Sequence, residues 1–101
     1  MLQPRIPTLE FLREKRSEIL AICAKHGAKN VRVFGSTARG EADEQSDIDF
    51  LVDLESGRTL LDLGGLQYDL EQYLLIPVDV ATESMLKSRI KERVLKEAVE
   101  L

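Results

Sequence analysis

The sequence predicts a small α/β (α+β) domain, a mixed β-sheet covered by helices. Two observations carry this. Three short β-branched or aromatic runs, Val31–Phe34, Ile48–Leu54 and Pro77–Val80, alternate with longer segments whose apolar residues recur at helical spacing. A length of 101 residues then holds about one domain, without a Pro/Gly/Ser-rich linker or an internal repeat to divide it, so residues 1–101 are read as one unit.

Each element has a local reason. Thr8, preceded by Pro7, is a plausible N-cap, and Leu9, Leu12, Ile19, Ile22 and Cys23 follow on one helical face. His26-Gly27 ends that helix, because Gly takes the left-handed C-terminal cap without steric cost. Val31–Phe34 is the first strand and stops at Gly35. Ile48–Leu54 is the second, with Ile48, Phe50 and Val52 on one face. A helix over Thr59–Leu75 presents Leu63, Leu66, Leu70 and Leu74 as a stripe, although Gly64 and Gly65 each weaken it by about 1 kcal/mol relative to Ala. Pro77–Val80 is a third strand. A last helix, starting at Thr82 or Ser88 and running to the end, turns Ile90, Val94, Leu95, Ala98 and Leu101 inward.

Composition narrows the function. With 14 Lys and Arg against 18 Asp and Glu, the net charge is −4, which argues against a stable grip on nucleic acid. Membrane association is not expected, since no apolar run reaches the roughly 18 residues a spanning helix needs. The stretch MLQPRIPTLEFLREKR lacks the apolar core of a secretory signal, so a cytoplasmic protein is expected. The lone Cys23 excludes an internal disulfide and a cysteine-based zinc site and suits a small core residue. His26, the only histidine, suits a cap or surface role.

The chemistry concentrates in Gly35-Ser36-Thr37-Ala38-Arg39-Gly40 and Ser46-Asp47-Ile48-Asp49. Side chains alternate along a strand, so Asp47 and Asp49 share the face opposite Ile48 and Phe50. Seven carboxylates and no Lys or Arg lie between Glu41 and Gly57. Asp79, between Val78 and Val80, repeats the pattern. If the third strand lies beside the second, Asp47, Asp49 and Asp79 converge. Hard oxygen ligands of this kind suit Mg²⁺, and a pair of such ions about 3.5–4 Å apart clamps the attacking and leaving oxygens of phosphoryl chemistry. Gly35 permits a sharp turn and close approach of a ligand, and Ser36–Arg39 can form one helical turn whose amides and hydroxyl face an anion. Taken singly, an Asp-x-Asp is usually a solvated strand end and a Gly-Ser an ordinary turn; the combination points to a nucleoside triphosphate. Arg39 suits a phosphate or a neighbouring carboxylate equally. Ser46 orients the strand start. Tyr68 and Tyr73 read as packing or surface residues. Lys87, Arg89, Lys91, Arg93 and Lys96, set against Glu92 and Glu97, read as a solvated face with spaced ion pairs, or else as a basic strip for an acidic partner, a nucleotide or RNA.

At these residues the sequence resembles the DNA-polymerase-β-like nucleotidyltransferases. Gly35-Ser36, a ten-residue spacer and Asp47-Ile48-Asp49 match their minimal nucleotidyltransferase (MNT) branch. The wider segments VRVFGSTARGEADEQSDIDFLVDL, TLLDLGGLQYDLEQYL and IPVDVATESMLKSRIKERVLKEAV are similar to it as well. The resemblance implies the polymerase-β-like fold and two Mg²⁺ ions held by Asp47, Asp49 and Asp79. It implies ATP as nucleotide donor, phosphates bound by Gly35 and Ser36, and Asp79 as a general base. The implied reaction is transfer of AMP from ATP to a hydroxyl with release of pyrophosphate.

Larger relatives add a helical domain that grips the acceptor. The sequence runs only about 20 residues past Asp79, so no such domain is expected here. The resemblance therefore implies the antitoxin of a toxin–antitoxin pair, adding AMP to a tyrosine of a HEPN-type ribonuclease toxin. Two alternatives remain at this stage: an antitoxin that acts by binding alone, and the catalytic subunit of a split nucleotidyltransferase acting on a small molecule or RNA.

Overall fold

In the computed structural model, which describes residues 6–101, ten elements build one sheet with helices on its faces. The expectations placed on the first five residues lie outside the described ones.

The first helical stretch is two helices, α1 (Leu9–Glu14) and α2 (Arg16–Lys25). Thr8 caps α1 as expected, its hydroxyl accepting the Phe11 N–H at 3.0 Å. The break falls at Lys15, with φ −105° and ψ 13°. Its ammonium there lies over the Phe11 and Tyr73 rings at 5.5 and 5.6 Å, a cation–π position that periodicity cannot reveal. Gly27 follows α2 at φ 74°.

Strand β1 (Ala28–Phe34) begins three residues earlier than the Val31 the sequence suggests. The extra segment bulges between Lys29 and Arg32, with Asn30 at φ 51° and its amide donating to Asp53. Asn tolerates that left-handed backbone better than most residues. Strand β2 (Ile48–Leu54) matches the sequence reading and pairs antiparallel with β1. Helix α4 (Leu60–Leu74), after the short α3 (Gly35–Arg39), opens on a capping box between Thr59 and Asp62. Gly65 is accommodated because α2 ends against it: an added Cβ would sit 3.0 Å from the His26 ring.

Strand β3 (Val78–Ala81) lies beside β2 and parallel to it. After a 3-10 turn, Glu83–Met85, comes α5 (Ser88–Glu97). The expected continuation of α5 to the chain end is corrected here. Val99 and Glu100 form a fourth strand, β4, pairing antiparallel with Val33 and Arg32. The pairing covers the otherwise open edge of β1, and Leu101 becomes a core residue while Leu95 stays exposed. The sheet order is β3-β2-β1-β4.

The main core lies between the sheet and α1, α2 and α4. Phe50, Ile48, Val52 and Val33 from the strands meet Leu12, Ile19, Cys23, Leu66, Leu70 and Leu74 from the helices. On the opposite face Leu51 is fully buried and Val94 is the buried residue of α5. Burial of one face by apolar residues leaves the alternate positions of β2 and β3 to the carboxylates.

Candidate active site

The site forms where β1 ends and β2 and β3 begin. Strand alternation sends Ile48 and Phe50 into the core and Asp49 to the other face; Val78, Asp79 and Val80 repeat the arrangement. The parallel register sets Asp49 directly beside Asp79 and Ile48 beside Val78. The Ile48 N–H donates to the Pro77 carbonyl at 2.9 Å, which ties the two strand starts together. Glu71 accepts the Val78 N–H at 2.9 Å and fixes the approach of β3. Before Asp47, the Ser46 hydroxyl accepts the Asp43 N–H at 2.9 Å and donates to the Asp43 carboxylate at 3.2 Å, so Ser46 shapes the turn, as the sequence reading has it.

Phe34 of β1 pairs with Asp49, and the chain then turns at Gly35 into α3. Gly35 has φ 76°, a region other residues rarely enter. A Cβ added to it would lie 2.3 Å from Asp49 Oδ2, so the Asp49 carboxylate rests against the turn itself. Gly40, left-handed at φ 74°, ends α3 after one turn. Within α3, the Thr37 hydroxyl is buried without a hydrogen-bond partner.

The charges of these groups bear on one another. The Asp49 carboxyl is pushed up to about 6 by burial first, then by the charges of Asp79, Asp47 and Glu97, with Arg39 opposing them. Asp49 is half-buried, whereas Asp47 and Asp79 are exposed.

Arg39 engages two carboxylates in this structure: its Nε donates to Glu41 and its Nη1 to Glu97, both at 2.8 Å. Glu97 is the residue that sequence reasoning misplaced. Instead of standing on a solvated face, its side chain is only 14% exposed, and its other oxygen accepts the Gly35 N–H at 2.7 Å. Burial opposes ionisation of Glu97, but the Arg39 and Gly35 donors outweigh it and hold the carboxyl below the usual range. No spacing rule links position 97 to position 35. His26, expected at a cap or on the surface, bonds Asp69 at 2.6 Å on the far side of the sheet.

The residues expected to hold Mg²⁺ fit it in kind, and Asp49 and Asp79 also fit it in register. They are hard oxygen donors, and Asp49 carries unrelieved negative pressure that a dication would cancel. Among the described residues, however, no group of three or more His, Cys, Asp or Glu side chains is gathered tightly enough to hold an ion. The register sets Asp49 beside Asp79, while the expected gathering of all three carboxylates, Asp47 included, is not formed by the side chains as they stand. Like charges repel, and Asp47 and Asp79 are exposed to solvent.

Acidic residues at the starts of two parallel neighbours, against a Gly-Ser turn, define a domain built for nucleotide phosphate chemistry. The chain belongs to the nucleotidyltransferase domain family, whose profile matches residues 16–101. It is 44% identical over 90 residues to a Methanocaldococcus jannaschii protein provisionally named a protein adenylyltransferase, covering 89% of this chain and 97% of that one. It is 45% identical over 75 residues to the protein adenylyltransferase MntA of Thermococcus cleftensis, covering 74% and 76% respectively. A solved structure provisionally described as a minimal nucleotidyltransferase superposes with a TM-score of 0.82 at 53% identity, over 93% of this chain and 96% of that one. A toxin–antitoxin structure with AMP-PNP shares the fold at a TM-score of 0.71 and 19% identity, over 83% and 69%. Among the described residues no helix is long and apolar enough to cross a membrane.

Proposed function

We propose that this single-domain protein is a cytoplasmic, Mg²⁺-dependent adenylyltransferase. It moves AMP from ATP to a tyrosine hydroxyl of a HEPN-type ribonuclease toxin and so acts as that toxin's antitoxin. The observation that carries the reading is the placement of Asp49 beside Asp79 in the parallel register and against the Gly35 turn. The names of the two relatives above support protein as the acceptor class.

Asp47, Asp49 and Asp79 would hold the metal, which when bound supplies neutralisation of charge on the phosphoryl oxygens. Ser36 and the Gly35 turn, with Arg39, hold the outer phosphates by N–H, O–H and guanidinium donation. The exposed Asp79 accepts the proton of the incoming hydroxyl as its oxygen bonds to the α-phosphorus. The bond from that phosphorus to the bridging oxygen breaks, and pyrophosphate leaves. Half-burial of Asp49 keeps the reacting end drier than open solvent and strengthens these charge interactions.

The test is incubation of the HEPN partner with this protein, ATP and Mg²⁺, followed by intact-mass spectrometry. The expected result is a partner heavier by AMP, with the label on tyrosine, and no transfer by the Asp47→Asn/Asp49→Asn double variant. An unchanged partner mass overturns the enzyme reading. Full neutralisation of the toxin by the double variant assigns the antitoxin effect to binding alone.

A further inference from the structure

The Glu97 carboxylate occupies donors that a phosphate would use. One oxygen takes the Gly35 N–H at 2.7 Å, and the other takes Arg39 Nη1 at 2.8 Å. Two oxygens of one anion, a backbone amide and a guanidinium form the usual grammar of phosphate recognition. The carboxylate is also close enough to Asp49 to add to the charge felt there. As a brace between α5 and α3 this contact is poorly economical, because it sets a fourth carboxylate against Asp47, Asp49 and Asp79.

We infer that Glu97 is an intramolecular stand-in for phosphate, which competes with the nucleotide's triphosphate for Gly35 and Arg39 and must leave them before the nucleotide seats fully. This rests on the reading of the Gly35–Arg39 turn as the triphosphate cradle.

The fold provides for such a movement. Glu97 is the last residue of α5, and Ala98 after it is extended at φ −62° and ψ 136°. The strand that follows pairs with β1 through two residues, Val99 and Glu100. Release of Glu97 therefore requires only rotation of one side chain at a helix end, which leaves the core residue Leu101 beyond β4 in place. Arg39, once free of Glu97, still has Glu41 beside it and remains held at the mouth of the site. A carboxylate in this position also keeps Arg39 neutralised in the resting protein, which lowers its appetite for unrelated anions.

Binding of Mg²⁺-ATP and of inorganic tripolyphosphate, measured by calorimetry on the full chain, tests this with Glu97→Ala, Glu97→Gln and Ser36→Ala. Competition predicts that Glu97→Ala binds both ligands about tenfold more tightly, the scale of one charge-assisted hydrogen bond. Glu97→Gln, which retains an acceptor for Gly35 without the charge, gains less. Weaker binding or a lowered kcat in both Glu97 variants overturns the inference and makes Glu97 a brace for the turn; unchanged affinity overturns it as well. Circular dichroism of Glu97→Gln checks that the fold is intact, and should only Glu97→Ala misfold, the Gln variant decides alone. Ser36→Ala separates the two failures. If it binds nucleotide as well as the wild type does, the cradle reading itself fails; if it weakens binding while the Glu97 variants do not tighten it, only the competition fails.

Discussion

Gly35 and Gly40 form a matched pair, and substituting each by Ala separates backbone strain from damage to the site. Both are left-handed, at φ 76° and 74°, so an Ala at either is strained to a similar extent. That strain is about 1–2 kcal/mol. For a domain near 100 residues it lowers Tm by about 4–8 °C per kcal/mol. Beyond strain the two differ completely. A Cβ at Gly40 meets nothing within 4 Å, whereas one at Gly35 would overlap Asp49 Oδ2 at 2.3 Å, well inside van der Waals contact. The Asp49 carboxylate must therefore swing away or the turn must shift. Gly40→Ala is expected to melt about 5–15 °C lower yet retain wild-type AMP transfer below its melting temperature. Gly35→Ala should melt at least as low and lose about a hundredfold or more in kcat/KM, because misplacement by about 1 Å near the reacting atoms has that cost. Differential scanning fluorimetry and a radiolabelled-ATP transfer assay read the two quantities. Equal transfer by the two variants would refute the claim that Asp49 packed on the Gly35 turn positions the chemistry.

The remaining expectations concern charge and helix propensity. Because the folded pKa of Asp49 is raised to about 6, its favourable contribution is complete below about pH 4 and is lost as pH rises through 6. Metal-free Asp49→Asn should therefore exceed the wild type in Tm at pH 8, with the gap closing toward pH 4; no change in the gap across this range refutes the raised pKa. Asp69 is shifted the other way, its carboxyl held below the usual range chiefly by the hydrogen bond to His26. Its contribution is present above the unfolded carboxyl pKa and fades as pH falls through the lower folded value. Asp69→Asn is thus less stable than the wild type at neutral pH and converges with it in acid, which acid titration followed by circular dichroism checks. Gly64→Ala, with open space around the new Cβ, should stabilise α4 by about 0.5–1 kcal/mol, measured by urea unfolding. Gly65→Ala should gain nothing, since its Cβ would press on a His26 ring already fixed by Asp69.

The legible part of this molecule is what short-range rules govern. Alternation in Ile48–Leu54 and Val78–Val80 placed the core residues correctly, and with them the outward side of each Asp. The Leu stripe of α4 and the single turn ended by Gly40 were likewise readable from spacing and from glycine. What escaped depends on partners distant in sequence. The break at Lys15 is stabilised by Tyr73, and the bulge at Asn30 by Asp53. Strand β4 looked helical because two residues carry no period; only the free edge of β1 makes them a strand. Glu97 fits helix spacing and ion-pair spacing equally well, so its contact across 62 residues with Gly35 was invisible.

The distribution of charge is the strongest argument that this corner of the fold serves binding rather than stability. Beyond burial, Asp47, Asp79 and Glu97 all act on the half-buried Asp49, opposed by the guanidinium of Arg39, which Glu41 also engages. Each unrelieved like-charge contact works against folding. Elsewhere the same chain pairs its charges economically: Arg32 with Asp53 and Glu83, Arg58 with Glu55 and Asp62. A sequence shaped only for stability would neutralise Asp49 in the same way, for instance with a second cation on β3 in place of Asp79. Instead, the surplus negative charge stands within reach of a turn whose N–H and guanidinium donors attract anions. Opposed preferences at such close range are reconciled when a dication and a polyanion arrive together, which is the chemistry of the metal-bound triphosphate in the function proposed above.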